Sequence, residues 1–190
     1  YCVVGLAEGV NAIMQKEGKE GRYGHDAEAD DLAEEILQRM HRFADEYESP
    51  HCIASNKRFM LHAQVGIDKD VNSSPGARIP IGDEPENLAD HLRHAGRFHR
   101  YFEAGIGDIF PFEATARRNP EFISDIIDGA FKSGMLYLSF YADDSDVIRV
   151  TGYLVKKSEI EKLRKDQAVL HDTTLLGMGA ADNARLLDRR

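Results

Sequence analysis

Tryptophan is absent from the 190 residues, and cysteine occurs only as Cys2 and Cys52. Two cysteines are too few for a disulfide framework, so a reducing, cytoplasmic setting is expected. No run of about 18 apolar residues occurs, which excludes a bilayer-spanning helix. Basic residues are outnumbered: 24 Lys and Arg stand against 33 Asp and Glu, a formal net charge of -9. Such a surface is a poor partner for nucleic acid or an anionic membrane, and neither is expected. Phosphate-loop, dinucleotide-binding, serine-elbow and zinc-protease motifs are all missing, as are internal repeats and low-complexity tracts. The chain opens on Tyr1, and the apolar Val3, Val4, Leu6 and Ala7 read like the middle of a fold. A fragment of a longer protein is therefore expected, with part of its core supplied by residues elsewhere.

What is present is mixed α/β. Residues 2–17 carry apolar positions at helical spacing, and residues 26–48 form the clearest helix, with a stripe from Leu32 through Ala33, Ile36, Leu37, Met40, Phe43 and Ala44 to Tyr47. Residues 51–66 read as a β-hairpin turning at Asn56-Lys57, since Leu61, Ala63 and Val65 alternate with His62 and Gln64. A loop-rich stretch follows to residue 85, then a helix over 86–103 and an extended segment over 105–110. Asn119-Pro120 is a helix start, with Phe122, Ile123, Ile126, Ile127, Ala130 and Phe131 as its buried stripe and Gly134 closing it. A strand over 135–140, a polar turn and a second extended stretch over 147–155 come next. Ser158 and Glu161 have capping-box spacing, and a short helix is expected over 181–188.

The informative run is Arg149-Val150-Thr151-Gly152-Tyr153. Glycine inside an extended run packs nothing and loses the most entropy on folding, so it needs a reason. One reason is a bulge or a close backbone approach. The other is chemical. A backbone radical needs an α-carbon that becomes planar between an amide nitrogen and a carbonyl, and a Cβ would crowd that geometry. Such a radical must also be buried, because oxygen attacks it and cleaves the chain. Val147, Ile148, Val150, Leu154 and Val155 supply apolar surroundings.

This run resembles the signature of the glycyl radical enzymes, an Arg-Val-small-Gly-aromatic sequence near the C-terminus. Further stretches look like one branch, the YjjI-type glycine radical enzymes. They are Tyr1 to Asn11, His62 to Asp68, Gly76 to Gly82 and Asp144 to Tyr153. The resemblance implies the C-terminal part of a ten-stranded α/β barrel over 1–140, ending in a glycine-radical loop and C-terminal helices over 141–190. It implies Gly152 as the radical residue, with Arg149 and Tyr153 flanking it in the catalytic motif. A radical S-adenosylmethionine activase would remove a hydrogen atom from Gly152. The radical would then take a hydrogen atom from an upstream cysteine, whose thiyl radical attacks a small-molecule substrate. No bound cofactor or metal is implied. The partners implied are the activase, the missing N-terminal part of the same enzyme and a second copy of the chain. Neither Cys2 nor Cys52 stands where the thiyl cysteine is expected; small buried apolar residues are the plainer reading for both. A stand-alone radical-carrier subunit and a non-catalytic structural domain are the competing functional classes. Anaerobic ribonucleotide reductase is disfavoured, because no cysteine lies between Cys52 and Gly152.

Other residues are candidates for substrate contact. His62 and Gln64 share one face of their expected strand, and that face would line a cavity or meet solvent. Asp108, between Gly107 and Ile109, is a third candidate. His91, His94 and His99 read as a basic solvated helix face, with Arg93, Arg97 and Arg100 as an alternative anion site. Arg149 is expected to find a carboxylate at Asp143, Asp144 or Asp146, unless those aspartates are only a solvated turn.

Overall fold

The structure, a computed structural model, describes residues 1–63, 73–142, 145–150, 153–171, 174–178 and 180–182. Local sequence sets most helix starts. Helix α1 (Leu6–Lys16) buries Leu6, Ala7, Val10 and Met14. Helix α2 (Ala27–Glu46) is capped by Asp26, whose carboxylate accepts the N–H of Glu28 at 3.0 Å. Its buried face is Ala29, Ala33, Leu37 and Ala44. Phe43 and Tyr47, expected in that stripe, are instead exposed and stack on each other. Helix α3 (Leu88–His99) is followed by strand β1 (Ile109–Phe112), and helix α4 (Pro120–Lys132) by strand β2 (Ser139–Ala142). Asn119 caps α4 by accepting the N–H of Phe122 at 3.3 Å, with Pro120 at the first helical position.

β1 and β2 pair in parallel, with Ile109 opposite Ser139 and Phe112 opposite Ala142, so β1–α4–β2 is a parallel crossover unit. Strands β3 (Val147–Val150) and β4 (Tyr153–Lys156) pair antiparallel. The single extended stretch expected over 147–155 is thus two strands, joined by Thr151 and Gly152, which lie outside the described residues. Helix α5 (Lys157–Leu163) follows, its start held by the Lys156 N–H donating to Glu159 at 3.1 Å rather than by Ser158 and Glu161. Strands β5 (Leu170–His171) and β6 (Thr174–Leu175) form a last small pair. The fold is mixed α/β. Its described strands form three two-stranded sheets and not a barrel. No described helix is long and apolar enough to cross a membrane.

Two expectations fail for identifiable reasons. Residues 51–63 are not half of a hairpin: a 3-10 turn occupies Ile53–Ser55, and the alternating residues pair elsewhere, His62 with Cys2 and Ala63 with Ile106. Asn56 and Lys57 do form the turn, both with positive φ, but it closes only a bridge between Glu48 and Arg58. The second failure is α4, where only Ala130 of the expected stripe is buried. Phe122 and Ile126 instead line a cavity, and Phe131 is exposed.

Apolar burial falls into three clusters. The largest joins α1, α2 and the end of α3 through Val10, Leu37, Phe98 and Phe102. A second, with Leu92, Phe110, Ala130 and Met135, holds α3 and α4 against β1. The third belongs to residues 148–181. The α3–α4 contact depends on Gly96, where a Cβ would lie 2.7 Å from Ser133 Oγ and 2.9 Å from its carbonyl carbon. Gly96→Ala is expected to cost about 1–3 kcal/mol by overpacking. Gly129→Ala, in α4 with open space around it, is expected to gain about 0.5–1 kcal/mol from helix propensity. Urea unfolding of the two variants checks the opposite signs.

Candidate functional site

Arg149 lies on β3, yet its side chain leaves the hairpin and is buried to 4% exposure. Its Nη2 lies 2.7 Å from Asp108 Oδ1 and its Nη1 lies 3.8 Å from Glu84 Oε1. The same Nη1 donates to the carbonyl of Ile109 at 3.3 Å. Asp143 and Asp144, two of the carboxylates expected for Arg149, lie outside the described residues. The described partners come from far away in sequence, at the start of β1 and from the loop before α3.

Asp108 is 3% exposed and held on every side. Its Oδ1 accepts the N–H of Ile109 at 2.8 Å, its Oδ2 lies 3.4 Å from His91 Nε2, and its carbonyl accepts from Ser139 Oγ at 2.8 Å. Burial by itself would push this carboxyl up. The Arg149 guanidinium, then His91 and Arg78, overcome it and hold Asp108 well below the usual carboxylate range. The pair is therefore ionised and mutually neutralised.

The histidines of α3 are not a solvated face. His91, His94 and His99 are all buried. His94 Nε2 meets Asp30 at 3.2 Å and packs edge-on to Tyr23, whose hydroxyl donates to the Ala77 carbonyl at 2.7 Å. His99 Nδ1 accepts the N–H groups of Leu136 at 3.0 Å and Ile106 at 3.4 Å. The neutral ring must then carry its proton on Nε2, and burial pushes its pKa down to about 4, opposed by the Asp108 charge. Nor do the arginines form an anion site. Arg97 contacts Asp31 and Glu34, Arg100 contacts Glu34, and Arg93 contacts Asp90 at 2.6 Å.

Beside this network is a cavity of about 810 Å³, lined among others by Glu84, Leu88, His91, Phe112, Ile126 and Arg149. Residues of α3, α4 and β1 line it, together with Arg149 of β3. The volume suits a small organic molecule with an apolar body and a few polar contacts. Among the described residues no group of three or more His, Cys, Asp or Glu is arranged for a metal ion.

The structure joins Arg149 to Asp108, two of the residues singled out in the sequence. His62 is exposed, engaged through its backbone with Tyr1 and Val3, and does not line the cavity. Gln64 and Gly152 lie outside the described residues, and of Tyr153 only its place at the head of β4 is described. Cys2 is exposed and Cys52 is half-buried, so the buried apolar role expected for both fails. Glu84 and His91 were missed. His91 falls on a stripe with Leu92, Ala95, Phe98, His99 and Phe102, a period that does signal burial. Glu84 carries no such signal.

A family model described as "Glycyl radical enzyme YjjI-like" matches residues 1–190. An uncharacterized protein of Haemophilus influenzae is 40% identical over 193 residues, covering 100% of this chain and 37% of that protein. The uncharacterized protein YjjI of Escherichia coli K12 is 40% identical over 190 residues, covering 100% of this chain and 36% of that protein. The chain therefore spans little more than a third of the length of these relatives. With the family model matching from the first residue to the last, the chain belongs to the YjjI-like family of glycyl radical enzymes.

Proposed function

We propose that the chain is the radical-bearing portion of an anaerobic glycyl radical enzyme and that Gly152 stores the radical. The observation that carries this reading is the placement of the Arg149-Val150-Thr151-Gly152-Tyr153 motif. Its arginine is buried and lines a partly apolar cavity, and Gly152 follows it by three residues in the sequence. A radical S-adenosylmethionine activase removes the hydrogen atom from the Gly152 α-carbon. The resulting radical takes a hydrogen atom from a cysteine thiol in the rest of the parent enzyme, and the thiyl radical attacks a small-molecule substrate. That hydrogen atom returns to the cysteine at the end of the cycle. In the parent, residues 1–140 complete a ten-stranded barrel and residues 141–190 carry the radical. Exposed Phe122, Phe131, Leu136, Tyr137 and Phe140 supply apolar surface for the rest of the enzyme or a second copy to cover. The acidic charge and the two cysteines support a cytoplasmic setting without nucleic acid or membrane partners.

The test is electron paramagnetic resonance on the full-length protein after anaerobic treatment with its activase and S-adenosylmethionine. The expected signal is a doublet from the single remaining α-hydrogen, with chain cleavage at Gly152 on exposure to air. Gly152→Ala is expected to lose both completely. No signal with an activase proven active on another substrate protein would return the motif to a structural glycine between two strands.

A further inference from the structure

The segment that carries the radical motif builds its own apolar core. Ile148, Val155, Ile160, Leu163, Val169 and Leu176 form a buried cluster separate from the two clusters of the preceding residues. Among the described strands, β3 and β4 pair only with each other. No described sheet ladder therefore fixes the depth at which β3 sits against the cavity. A described contact that crosses to the rest of the fold is a side chain, Arg149, reaching Asp108, Glu84 and the Ile109 carbonyl.

Asp108 is the rigid half of this contact. It is tied to β1 through Ile109, to β2 through Ser139, and approached from α3 by His91. Its carboxylate is short, buried and fully committed, so it cannot follow β3 if the strand slides. Arg149 has a long side chain, but its guanidinium is gripped at the Asp108 and Ile109 ends together. A desolvated ion pair at 2.7 Å also weakens steeply with separation, which gives the contact directional stiffness. Arg149 lines the cavity and stands three residues before Gly152 in the sequence, so whatever fixes Arg149 fixes where β3 meets the cavity.

We propose that Asp108, backed by His91, is the positioning residue that sets where Arg149, and through it strand β3, sits against the cavity. The inference rests on the radical reading of Gly152. Asp108 acts through Arg149 and touches no reacting atom.

The experiment compares Asp108→Asn, Asp108→Glu and wild type in the full-length protein. Three readouts apply: the rate and yield of the Gly152 radical, thermal midpoint, and amide hydrogen exchange over 147–156. Asp108→Glu keeps the charge but moves the carboxylate by one methylene. A positioning role predicts that it folds with a near wild-type midpoint, yet is activated roughly tenfold or more slowly, as misplacement on this scale costs. It also predicts lost exchange protection confined to 147–156. Asp108→Asn removes the charge that compensates Arg149, so it is expected to lower the thermal midpoint as well as slow activation, and the glutamate variant carries the test. Wild-type activation and wild-type exchange in Asp108→Glu would overturn the positioning role and leave the radical reading standing. Absence of a radical in wild type itself would overturn both.

Discussion

Replacing Asp108 by alanine is expected to lower the unfolding free energy by about 3–5 kcal/mol. The magnitude comes from what the substitution leaves behind. Arg149 is 4% exposed and its guanidinium cannot lose its proton, so removing Asp108 strands a positive charge away from water. The cavity left by a carboxymethyl group is a minor addition. Glu84, 3.8 Å from Nη1 and nearly buried, softens the loss, which places the expectation toward 3 kcal/mol rather than 5. Arg149→Met alone is expected to be costly as well, because Asp108 then keeps a buried charge without its closest cation, with only His91 and Arg78 to offset it. The double variant Asp108→Ala with Arg149→Met is expected to recover most of the loss, since no buried charge is then left without its partner. Urea unfolding of the three variants and the wild type completes the cycle. A single-variant loss below about 1 kcal/mol would mean that the pair is effectively solvated.

Legibility in the sequence followed the range of the interaction. Helix α4 was readable because its start is written locally, in Asn119-Pro120, and α2 because its apolar spacing runs on from Leu32 to Ala44. The resemblance to the glycyl radical enzymes was readable for the same local reason, five residues in a row. The pairing of residues 61–63 was not, because alternation tells that a strand is half-buried and not which strand lies beside it. Here the neighbours are residues near position 2 and position 106. The α3 histidines were misread because their carboxylates arrive from elsewhere: Asp30 from α2 for His94, and Asp108, just before β1, for His91. Counting charges on one helix face cannot reveal that. The α4 stripe was read as core because period alone marks a face as apolar. Whether that face meets protein, a cavity or solvent depends on the chain packed against it. Gly152 was placed inside one long strand, whereas the register pairs Val150 with Tyr153 and leaves it between two strands.

Acidification is expected to weaken the fold between about pH 6.5 and 4 through His99. The imidazole is 0% exposed, and its pKa falls to about 4 on folding. In the unfolded chain the ring titrates near its ordinary 6.5, so within this window the unfolded state binds the extra proton and the folded state does not. Stability from this group is therefore complete above about pH 6.5 and drains away as pH falls, by about 2 kcal/mol at pH 5 and roughly 3 kcal/mol near pH 4. Protonation is resisted for a geometric reason too. An imidazolium has donors on both nitrogens, so the N–H groups of Leu136 and Ile106 would lose their acceptor while a proton was forced onto Nδ1. His99 Nε2 has no hydrogen-bond partner among the described residues, which leaves the cation without compensation on its other side. Asp108 titrates in a separate window. Its carboxyl is held low, so its contribution is present above about pH 4 and is lost only below it. Urea unfolding from pH 7 to pH 4, compared with His99→Gln, isolates the histidine. Glutamine retains an acceptor oxygen and has no proton to gain, so the variant is expected to be less stable at pH 7 but flatter across the window. A profile with the wild-type slope in His99→Gln would assign the acid sensitivity to other groups, and the buried ring would then be protonated in the folded state.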